Sequence, residues 1–98
     1  MPYITEEKRK TLDNAIHQVM DALRQIECDD PEASFEGTLN YLFTTIILKS
    51  YTLNNYDEHN RVVGLLECVK AEYYRRRVAP YEMQKCYENS DVYPTPLF

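Results

Sequence analysis

An all-α fold, with three main helices, a short fourth and an extended tail, is what this sequence predicts. Apolar residues recur at helical spacing in three separate stretches, polar caps and prolines divide those stretches, and no segment shows the alternation of a half-buried strand. Two glycines in 98 residues leave little material for the turns of a β fold or for a Gly-rich phosphate loop. Short loops between amphipathic patterns make an antiparallel bundle in a single domain, residues 1–98, the expected arrangement.

Thr5 followed by Glu6 and Glu7 reads as a helix start, because a hydroxyl caps free amides and acids oppose the positive end of the helix dipole. Leu12, Ile16, Val19, Leu23 and Ile26 then repeat in steps of four, three, four and three, a coiled-coil-like seam on a helix over 5–27. The acidic run from Glu27 to Ser34, broken by Pro31, reads as a solvated loop. From about Gly37 to Tyr51 a second helix carries Leu39, Leu42, Phe43 and Ile46 on one side and Tyr41, Leu48 and Tyr51 on the other. A helix apolar on two sides has to be covered twice, which makes Tyr41, Leu48 and Tyr51 the expected seam of a homo-oligomer.

Asn55 with Glu58 three residues on forms a capping-box pattern that opens a third helix running to about Val78. Pro80 is expected to stop it and to sit in the first turn of a fourth, Tyr81 to Glu88. The tail, Asp91 to Phe98, holds two prolines and is expected to lie extended.

Eleven Lys and Arg against sixteen Asp and Glu leave a net charge of −5, unfavourable for duplex nucleic acid held through its phosphates. The charge is uneven: residues 1–60 carry five basic and eleven acidic side chains, residues 61–87 six basic and three acidic. Cys28, Cys68 and Cys86 form no C-x-x-C pair, and three cysteines do not read as a disulfide framework. With no secretion-signal pattern at the start and no apolar run near the roughly 20 residues that span a bilayer, the expected location is the cytoplasm, away from membranes.

Projected at about 100° per residue, the third helix sets Val62, Leu66, Val69 and Tyr73 on its apolar face, with Glu67, Lys70, Tyr74 and Arg77 as a stripe beside it. Cationic donors next to a phenol at a half-apolar edge are suited to holding a phosphate and stacking a base. Lys70, Tyr74 and Arg77, with Tyr73 or Tyr81 as stacking surface, are therefore the candidate ligand-binding residues. The plainer reading is that Glu67 and Lys70 pair within the helix while Tyr74 and Arg77 cover a subunit seam. Arg75 projects away from the apolar side, and Glu72 is spaced to pair with Arg76. Glu82 is placed to compete with an anion for the first amides of the fourth helix.

His17 and His59 stand in no metal-ligand spacing, and Ser34, Ser50 and Ser90 lie in no nucleophile-elbow context. No catalytic residue, metal or cofactor is expected, and the chain does not read as an enzyme.

The segments Gly37-x-Leu39-Asn40-Tyr41, Asn60 to Glu82, and Glu88-Asn89-x-Asp91-Val92-Tyr93 resemble a family of small all-helical proteins of bacteriophages and prophages that has no assigned activity. Ser90 stands where the resemblance leads one to expect glycine. The resemblance implies a phage setting inside a host cell. One role suited to that setting is a sponge that sequesters a nucleotide-type immune signal. Another is a protein that binds and inhibits a host defence protein, or a structural accessory, through an exposed helix face. The sponge is drawn by analogy of size and class.

Overall fold

The first helix begins where the sequence places it. Thr5 is its N-cap, its hydroxyl accepting from the Lys8 amide at 3.3 Å, and α1 runs Glu6–Asp29. The chain is all-α. The computed structural model describes residues 4–94, so Met1 to Tyr3 and the end of the tail, Thr95 to Phe98, lie outside the described residues. Helix α1 reaches two residues beyond the predicted end and takes in Cys28 and Asp29. Ser34, read as loop, is the cap of α2 (Phe35–Ser50): its hydroxyl accepts from the Gly37 amide at 3.0 Å. Helix α3 spans Tyr56–Tyr73, a π-turn spans Tyr74–Val78, and α4 spans Ala79–Asn89.

The chain divides into two units, Met1–Ser50 and Tyr51–Phe98. In the first, Leu23 is 8% exposed and is the buried apolar residue of the seam, with Val19, Leu39 and Leu42 half-buried. The rest of the seam is open: Leu12 and Ile16 are each 53% exposed and Ile26 is 44% exposed. On α2, Phe43 and Ile46 are exposed while Leu39 and Leu42, expected on the same side of the helix, are half-buried. Tyr41 and Leu48 are exposed as well, whereas Tyr51 lies past the end of α2, is half-buried and belongs to the second unit. Of the expected seam, Tyr41 and Leu48 lie on α2 and Tyr51 follows its last residue, Ser50.

In the second unit, α3 is capped as its sequence predicts, with one change. The Asn55 side chain accepts from the Glu58 amide at 2.9 Å. Glu58 returns its carboxylate to the Asn54 amide at 3.1 Å and to the Thr52 hydroxyl, bypassing the cap's own amide. These bonds sit around Leu53, whose φ of 57° is a left-handed value that a side chain with a Cβ normally avoids.

The larger correction concerns Pro80, which does not end the helix. Helical structure continues from Tyr56 to Asn89. A proline has no N–H, and its ring collides with the carbonyl four residues back, here that of Arg76. The chain relieves this by widening one turn, so that the Ala79 amide bonds the Tyr74 carbonyl five residues back. The expected fourth helix is therefore the continuation of the third.

Candidate functional site

The π-turn positions the candidate site. In a regular α-helix, residues eight apart are about 80° out of line and residues seven apart only about 20°. The wide turn absorbs one residue, so an eight-residue separation across it behaves as seven. That is why the Tyr74 hydroxyl reaches Glu82 and donates to Oε1 at 2.9 Å. Tyr73 and Tyr81 bear the same relation in sequence, and both rings are exposed.

Each predicted ligand residue has a defined place. Lys70 pairs with Glu67 at 3.8 Å, both side chains largely in solvent, as the plainer reading expects. Tyr74 is committed to Glu82, whose hydrogen bond and negative charge raise the phenol above its ordinary range. The continuous stripe of Glu67, Lys70, Tyr74 and Arg77 is thus corrected at its C-terminal end: the regular projection does not hold through the π-turn, and Tyr74 turns to α4.

The three consecutive arginines divide their roles. Glu72 receives Arg75 Nη2 at 2.5 Å and Arg76 Nη1 at 3.5 Å, so the predicted Glu72–Arg76 pair is present and Arg75 shares it. Arg77 makes no ion pair or hydrogen bond among the described residues. It lies within the π-turn, four residues from both Tyr73 and Tyr81 in sequence. Tyr81 carries the Lys85 ammonium over its ring, 5.5 Å from the centroid, and Lys85 also pairs with Glu88 at 3.1 Å.

Beyond the predicted set, α4 and the start of the tail frame a groove of about 460 Å³, lined among others by Glu82, Met83, Cys86, Asp91 and Tyr93. Ser90 makes the bend with φ 69° and ψ 151°. Such angles belong almost entirely to glycine, which accounts for the residue that the resemblance led one to expect. Asp91 Oδ1 accepts from the Tyr93 amide at 3.0 Å, while its Oδ2 is buried without a hydrogen-bond partner among the described residues. Burial, then the charges of Asp91 and Glu82, push the Cys86 thiol up, which makes it a poor nucleophile at neutral pH. The role of Asp91 depends on the Ser90 bend, which sequence spacing does not show, whereas Lys85 stands four residues after Tyr81 and three before Glu88, ordinary helical spacings that could have found it.

Cys28, Cys68 and Cys86 are free. Among the described residues no cluster of three His, Cys, Asp or Glu is placed to hold a metal ion, and no helix is long and apolar enough to cross a membrane.

The arrangement defines an all-helical protein with an exposed cation and aromatic rings on a π-turn. The chain belongs to the family described as Domain of unknown function (DUF6899), which it matches over residues 1–92. No curated protein and no solved structure matches it.

Proposed function

We propose that the protein is a non-enzymatic, phage-encoded counter-defence protein that assembles from copies of itself and sequesters a nucleotide-type anionic signal. The observation that carries the ligand is Arg77. Of the three consecutive arginines it alone lacks a carboxylate partner among the described residues, and exposed Tyr73 and Tyr81 flank it in the chain. A guanidinium presents a fork of donors that matches phosphate, and phenol rings offer faces for a base. Lys70 joins by leaving Glu67, a small cost for a solvent-exposed pair. Tyr74 contributes its ring edge while its hydroxyl stays with Glu82. The exposed seam of α1 supports the assembly, and a pocket shared by two copies brings two Arg77 side chains to one di-anionic ligand.

The second reading is a protein that inhibits a host defence protein. It is favoured by α2, which has no charged side chain between Glu36 and Lys49 and exposes Tyr41, Phe43, Ile46 and Leu48 around its surface.

Calorimetric titration with a panel of cyclic dinucleotides and ADP-ribose derivatives tests the first reading. A charge-assisted hydrogen bond contributes about 1.5–3 kcal/mol, so Arg77→Ala weakens binding roughly ten- to a hundredfold. Arg75→Ala removes the same charge from a group already paired with Glu72 and leaves binding nearly unchanged. Equal loss in both variants means diffuse electrostatics. No binding by the unaltered protein favours the inhibitor.

A further inference from the structure

Helix α1 is charged against its own dipole. After Glu6 and Glu7, its N-terminal turns carry Lys8, Arg9 and Lys10, while its last turn carries Glu27 and Asp29 and no basic residue, with Asp30 at the C-cap. Cations belong near the negative C-terminal end of a helix and acids near the positive N-terminal end, so most of these charges are at the disfavoured end. Helix α2 does not relieve them, since its charges are Glu36 and Lys49 alone. Among the described residues, Lys8, Arg9, Lys10 and Glu27 have no ion-pair partner. Between the two charged ends Leu12, Ile16, Met20 and Ile26 are exposed, while Val19 is half-buried and Leu23 buried.

We propose that the occupant of this face is α1 of a second copy, running antiparallel about a two-fold axis near Val19. This register sets Leu12 of one copy level with Ile26 of the other. It also sets Lys8 level with Asp30 and Arg9 level with Asp29 at both ends, with Lys10 and Glu27 one residue out of level. One operation covers the exposed seam residues, sets Lys8 and Arg9 beside acids and opposes the two dipoles. A parallel pairing sets Lys8, Arg9 and Lys10 of the two copies against each other and leaves both ends repulsive. The pairing rests on the self-assembly in the proposed function and specifies the surface that carries it.

Sedimentation equilibrium of the full chain tests it with two variants, Lys8→Glu with Arg9→Glu, and Glu27→Lys with Asp29→Lys. Each variant alone turns both ends repulsive and raises the dissociation constant at least about tenfold, and the equimolar mixture associates as tightly as the unaltered protein. Recovery in the mixture also shows that both variants are folded. If either variant alone matches the unaltered oligomer, or if the mixture is far tighter than it, the antiparallel pairing is overturned while self-assembly stands. If the unaltered protein is a monomer, both are overturned.

Discussion

The Tyr74 hydroxyl donates to the Glu82 carboxylate at 2.9 Å across eight residues of one continuous helix, a contact that exists because a π-turn lies between them. Pro80 is the cause of that turn, so the phenol, the carboxylate and the proline form one testable unit. The phenol titrates above its ordinary value of about 10. The stability it contributes is therefore complete below that value and is lost as pH rises through the raised one. Ultraviolet titration of Glu82→Gln returns one tyrosine to the ordinary range. Pro80→Ala does the same by restoring a regular helix, and it raises thermal stability because proline inside a helix costs about 3 kcal/mol relative to alanine, part of which the π-turn already relieves.

Glu58 gives the chain a defined weakness to acid. The Thr52 hydroxyl, then the Asn54 amide, hold its carboxyl below the usual carboxylate range. Its contribution is present above about pH 4.3, the ordinary glutamate value, and is lost as pH falls through the depressed one. Melting temperature followed between pH 7 and pH 3 falls less steeply in Glu58→Gln than in the unaltered protein. Parallel curves would place the acid sensitivity elsewhere.

Ser90 holds φ 69° and ψ 151° at the end of α4, angles that cost a residue with a Cβ about 1–3 kcal/mol. Ser90→Gly removes that strain and gives back part of it as unfolded-chain entropy, for a net stabilisation of about 1 kcal/mol in denaturant unfolding. Ser90→Val destabilises by more than that. A neutral glycine variant would contradict the strain.

Much of this was legible in the sequence, and the failures share a physical source. Thr5 and Asn55 announce their helices because a short polar side chain before an apolar period has few other uses. Arg77 stands out among the arginines because it projects to the edge of the apolar face, while Arg75 projects away from it and Glu72 is spaced to pair with Arg76. Pro80 was read as a stop because the rule weighs the lost hydrogen bond and the ring clash but not the widening of one turn, which satisfies both. The same omission hid Tyr74–Glu82, since an eight-residue contact has no place in a regular helical projection. Leu53 gives no sequence sign of its left-handed φ, which its neighbours' bonds to Glu58 impose.

A native mass spectrum of the protein purified from cells tests the central claim most directly. The account predicts a multiple of the 11.6 kDa chain that carries a small nucleotide-type ligand, released and identified on denaturation. A ligand-free 11.6 kDa monomer would contradict it, and a stoichiometric complex with a host protein would contradict the sponge in favour of the inhibitor.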